Sequence, residues 1–156
     1  MYIFATENNK LNTERYKLMA KEERITSWLD HVHEDISSAE CLFMGGHWLY
    51  VGFLCHQALE KALKAYYTAN NDDDPPYTHS HTRLLNVCGL TDELTDAQLR
   101  FIALMEPMYI EARYPEQKAE TAKMLNKEAC QHIISNTKEL TQWIEEKLLA
   151  AKKPSE

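Results

Sequence analysis

Apolar residues step by three and four along most of this chain, the spacing of one face of an α-helix, and that period limits the fold more than any single residue does. From Ile25 the series Trp28, Leu29, Val32, Ile36, Ala39 and Phe43 makes an amphipathic helix that the Gly45-Gly46 pair ends. His47 to about Ala69 repeats the pattern through Val51, Leu54, Cys55, Ala58, Ala62 and Tyr66. The run Asn70 to Pro76, with three aspartates and two prolines, stops it.

A short helix fits between Thr82 and Val87, with Leu84 and Leu85 turned inward and Gly89 beyond it. A further helix start stands at Thr95-Asp96, and Leu99, Ile102, Met105, Tyr109 and Ile110 carry a third long element. Pro107 lies inside that element, where a missing N–H predicts a kink or restart just before Tyr109. Residues 116–125 read as a loop. Asn126 can cap a last helix whose stripe is Ala129, Ile133, Leu140, Ile144 and Leu148.

These elements make an all-α chain: an up-and-down antiparallel four-helix bundle over residues 25–150, with a short extra helix in the middle crossover. Residues 1–24 are a polar leader or a helix start, and 151–156 a tail. With Gly 4 and Pro 5 in 156 residues, a loop-rich β protein is excluded, and one domain suffices.

The formal charge of −7 excludes the global basic field of a protein that coats nucleic acid, so an anion site here has to be local. Cys41, Cys55, Cys88 and Cys130 form no C-x-x-C pair and read as reduced, small apolar residues, which points to a cytoplasmic location. No basic leader precedes an apolar run, and no stretch is long enough to span a bilayer.

One polar series interrupts the apolar pattern of the second helix. His56, Glu60 and Lys64 are four apart, forming a column beside the seam of Leu59, Ala62, Leu63 and Tyr66, with Glu60 N-terminal to Lys64 in the favourable order. A polar column against an apolar seam belongs at a cleft or an interface. His56 and Gln57 next to Val51, Leu54 and Leu59 would need hydrogen-bond partners, as residues that lock a helix pair or a dimer do. His79 and His81 have the spacing of paired metal ligands, but no third ligand is defined, and His31 and His33 lack the Glu-x-x-His set of di-iron bundles. No metal or other cofactor is expected.

The decapeptide from His56 to Ala65, with His79-Ser80-His81 before a leucine pair and Ala112-Arg113-Tyr114-Pro115 farther on, resembles the HEPN domain family (higher eukaryotes and prokaryotes nucleotide-binding). The resemblance spans about residues 30 to 148 and implies the same bundle. It also implies a choice of function. Ribonuclease members carry an arginine followed, after four to six residues, by a histidine near the last helix. That imidazole moves the ribose hydroxyl proton, and the arginine steadies phosphate charge. Arg113 falls in the matching region, but Lys118, Ala119 and Glu120 stand where the histidine belongs, and none of these side chain types titrates near neutrality as imidazole does. Arg24 and His31 have the spacing only at the head of the first helix, outside that region.

The reading favoured is a noncatalytic nucleotide- or nucleic-acid-binding module with Lys61, Lys64, His81, Arg113 and Tyr114 around the ligand. Arginine suits bidentate contact with phosphate, lysine adds a point charge, and tyrosine stacks on a base. His56, Gln57 and Glu60 serve as interface or helix-locking residues. The same residues also read structurally, with Glu60 and Lys64 a surface ion pair, Arg113 a C-terminal cap and Tyr114 a core ring. The enzymatic alternative is a metal-independent ribonuclease of the toxin–antitoxin type using Arg113 with His81, and a second alternative is a purely structural interaction protein. Aromatic residues on several helix faces, among them Trp48, Tyr50, Phe53 and Tyr67, call for a partner surface, first of all a second copy. The resemblance likewise implies a homodimer and a small nucleotidyltransferase as partner.

Overall fold

A computed structural model describes residues 3–109 and 115–151, all of them helical or connecting, with no strand among them. The elements in order are α1 (Ile3–Met44), α2 (Trp48–Asn70), α3 (His81–Val87), α4 (Asp96–Met105), α5 (Pro115–Met124) and α6 (Lys127–Ala151), with 3-10 turns at Thr91–Glu93 and Glu106–Tyr109. This is the all-α bundle that the periodicity predicts. No helix among the described residues is long and apolar enough to cross a membrane.

α2 is the centre of the molecule. It packs along α1 on one side and α6 on another, and α3 and the Glu106–Tyr109 turn close over it. Its small residues make this possible. Ala58, Ala62 and Ala65 are fully buried and let neighbouring helices approach, while Leu59 and Leu63 fill the seam with Val32, Leu84 and Ile133. Each such leucine contributes about 2 kcal/mol by leaving water. Gly52 on α2 has a special reason: a Cβ built there would lie 3.0 Å from the Met108 sulfur. Its absence lets the Glu106–Tyr109 turn sit directly on the helix.

The boundaries follow local chemistry. α1 ends where Gly46 takes φ 74°, with His47 N–H donating to the Leu42 carbonyl and Gly46 N–H to that of Phe43, a Schellman closure. Thr95 and Gln98 form a reciprocal capping box at the start of α4. Asn126 Oδ1 accepts from Ala129 N–H at 2.8 Å and caps α6 as expected. Ser80 caps α3, accepting from Arg83 N–H.

Three boundaries differ from the sequence reading. α1 starts at Ile3 and runs 42 residues without a break, about 63 Å, so its first turns overrun the bundle. Leu11 and Leu18, seven apart and in step with buried Ile25, stay exposed there. The third long element has the break expected around Pro107, but α4 already gives way to 3-10 geometry at Glu106, so its α-helical part ends at Met105. Finally, residues 115–124 form a helix where a loop was expected. That segment has proline at its first position, Glu116 in its first turn, Lys123 in its last, and good helix formers between. It lacks an apolar stripe, burying only Thr121 among its described side chains, so periodicity could not reveal it.

All four cysteines are free. Burial pushes the Cys55 thiol up to about 12, which leaves it a protonated space-filler.

Candidate functional site

The His56, Glu60 and Lys64 column faces inward. Helical spacing stacks the three side chains on one face of α2, and α3 with the Glu106–Tyr109 turn packs over that face. All three are buried. The Lys64 ammonium donates to Glu60 Oε1 at 2.7 Å, and the other carboxylate oxygen, Oε2, accepts from His79 Nδ1 at 3.0 Å. The ion pair is therefore a buried one, not a solvated surface pair.

His81 opens α3 directly over the column. Its Nε2 donates to the His56 carbonyl at 3.0 Å, and the two imidazole rings lie 4.0 Å apart. Both residues are fully buried. Burial pushes His56 down to about 2, helped by the neighbouring His81 and His79. The His79 backbone approaches the His56 ring and favours its charged form, but not in hydrogen-bond geometry, and neither ring nitrogen has a hydrogen-bond partner among the described residues. Burial also lowers His81, partly offset by its bond to the His56 carbonyl. Neither ring is placed to shuttle protons at neutral pH.

His79 is different. It lies outside α3, its side chain is 39% exposed, and Glu60 holds one of its nitrogens. Tyr109 joins the set at the end of its 3-10 turn, with ring centroids 4.7 Å from His79 and 5.1 Å from His56. Glu106 in the same turn accepts from Thr82 N–H at 2.7 Å and from the Ser80 hydroxyl at 3.2 Å, tying the turn to the start of α3. Sequence reasoning missed His79, Tyr109 and Glu106 as members of this set. The signals were the His79-Ser80-His81 element and Tyr109 in the apolar stripe of the third element, four residues before Arg113.

The structure thus brings Lys64, His81, His56 and Glu60 together. Lys61 goes elsewhere: its ammonium meets Asp35 of α1 at 2.6 Å. Gln57 is half-buried on α2. Arg113 and Tyr114 lie outside the described residues. His81, the imidazole first paired with Arg113 for catalysis, lies under the surface, and His79 takes the exposed place. Arg24 and His31 are separately occupied, by Asp74 and by the Ser27 carbonyl. Among the described residues no three His, Cys, Asp or Glu side chains are grouped to hold a metal ion.

A family model described as the HEPN domain matches residues 25–147. Two solved structures share the fold. TT1696 from Thermus thermophilus is 20% identical, with TM-score 0.68 over 80% of this chain and 98% of its own. ST0689, an archaeal HEPN homologue, is 21% identical, with TM-score 0.61 over 80% of this chain and 97% of its own. No curated protein matches the chain.

Proposed function

The chain belongs to the HEPN domain family, and on that premise we propose that it is a noncatalytic module that binds a nucleotide or a nucleic-acid end, working as a homodimer and as accessory to a small nucleotidyltransferase. The observation that carries this reading is the linked set Lys64, Glu60, His79 and Tyr109. It starts at a buried ion pair and ends at half-exposed rings immediately before the segment that holds Arg113. Its inner members are rigid: both oxygens of Glu60 are engaged, and the deep imidazoles are held neutral. A rigid inner set with a ring-lined mouth orients a ligand well and leaves little machinery for proton transfer. The lack of an imidazole at Lys118, Ala119 and Glu120 agrees with that.

Calorimetric titration of the purified protein with the four common nucleoside triphosphates tests the binding. At least one should bind, and Arg113→Ala should weaken it by about tenfold or more, the effect of losing a charge-assisted phosphate contact. Absence of binding by the wild type, or equal binding by the variant, sinks the proposal.

One observation favours a metal-independent ribonuclease of the toxin type as a second reading. A carboxylate holding one nitrogen of a half-exposed imidazole is the arrangement that orients a general base. This reading expects RNA cleavage in the presence of chelator, abolished by His79→Ala; RNA left intact by the wild type after prolonged incubation rules it out.

A further inference from the structure

The connection between α2 and α3 holds one aromatic ring out in solvent on a backbone that is tied down on both sides. Asp72 pairs with Lys21 at 3.6 Å, Asp73 accepts from the Tyr67 hydroxyl at 3.0 Å, and Asp74 pairs with Arg24. Pro75-Pro76 then fixes two successive φ angles. On the other side Thr78 Oγ1 accepts from Ser80 N–H, His79 is held by Glu60, and Ser80 caps α3. Between these anchors stands Tyr77, 94% exposed.

A single exposed ring is ordinary on a protein surface. This one ends a row. Tyr77 meets His79 at 6.1 Å with ring planes 62° apart, His79 meets Tyr109 at 4.7 Å, Tyr109 meets His56 at 5.1 Å, and His56 meets His81 at 4.0 Å. The row runs from full solvent to the core. Tyr77 and His79 make an angled corner at its outer end, against which a flat ring can lie on one face and meet the other ring edge-on.

Several cations of this region are already paired, Lys64 with Glu60, Lys61 with Asp35, Lys21 with Asp72 and Arg24 with Asp74, while Arg83 in the first turn of α3 is exposed. At its outer end the row offers a ligand π-surface. We propose that this row is the base-recognising half of the site, that a nucleobase stacks at the Tyr77–His79 corner, and that the ligand class is a base-bearing nucleoside or nucleotide, not a bare polyphosphate. The inference rests on the nucleotide-binding reading above and adds which end of the ligand the described surface takes.

The test is calorimetric titration of the full chain with nucleoside triphosphates, the matching free nucleosides and inorganic tripolyphosphate, in the wild type, Tyr77→Ala and Tyr77→Phe. Because Tyr77 packs little against the core, both variants keep the fold. Free nucleosides should bind measurably and tripolyphosphate should not compete. Tyr77→Ala should weaken nucleotide binding by about tenfold, and Tyr77→Phe, which keeps the ring, should stay within about twofold of wild type. Nucleotide binding that Tyr77→Ala leaves unchanged, or that tripolyphosphate matches, removes the stacking inference while the binding module stands. A wild type that binds no nucleotide removes both.

Discussion

Glu60 meets Lys64 through one oxygen and His79 through the other, so its removal strands a buried ammonium. Glu60→Gln should lower stability by about 3 kcal/mol, the usual cost of breaking one side of a buried pair, whereas Glu60→Leu with Lys64→Met should recover most of it. Urea denaturation of the two variants separates a structural pair from an incidental one; a cost below about 1 kcal/mol for Glu60→Gln contradicts the buried pairing. His56 gives a pH prediction with a fixed sign. Its value falls from 6.5 in the unfolded chain to about 2 in the fold, so between those values the unfolded chain binds a proton that the folded one does not. Stability is thus full above about pH 6.5 and declines as pH falls, by up to about 1.4 kcal/mol per pH unit for this group. His56→Gln should flatten that slope in urea midpoints measured from pH 7 to 5, and an unchanged slope would show that His56 is not what titrates. The column itself was legible because helical spacing alone stacks residues four apart. Which of His79 and His81 turns inward was not: His81 falls in the first turn of α3, which packs on α2, whereas His79 precedes the Ser80 cap and stays at the rim.

Gly52 is where two elements come close enough to read each other's side chains. With Met108 only 3.0 Å from a Cβ at that position, and Leu125 at 3.5 Å, Gly52→Val should push the Glu106–Tyr109 turn off α2. Overpacking of this kind costs about 1–3 kcal/mol and should lower the melting temperature by several degrees. It should also weaken nucleotide binding, since Tyr109 moves with the turn; a variant that melts early yet binds as wild type would detach Tyr109 from the site. Cap chemistry made other elements readable in advance. Thr95, Asn126 and the Gly45-Gly46 pair mark α4, α6 and the end of α1 because each meets orphan backbone groups with its own local geometry. α5 had no such stripe or cap to announce it. Its helix rests on propensity, one proline and end charges, a signal spread too thinly over ten residues to outweigh polarity.

At the scale of the whole molecule, the net charge of −7 and the paired lysines constrain how the proposed nucleotide would be held. The bundle was legible from periodicity because three long helices, α1, α2 and α6, share one continuous apolar seam. The direction of the polar column was not, since it depends on α3 and the Glu106–Tyr109 turn arriving from far along the chain. That arrangement has a consequence in salt. A protein that gathers phosphate through a basic surface loses affinity steeply as counterions compete, whereas one holding a ligand through rings and one or two charges does not. With two phosphate contacts, affinity should fall only about sevenfold between 50 and 200 mM salt. Titrations across that range read the slope directly. A log–log slope several times steeper than about −1.4 would require an extended cationic face, and the described surface has its site lysines already committed to Glu60 and Asp35.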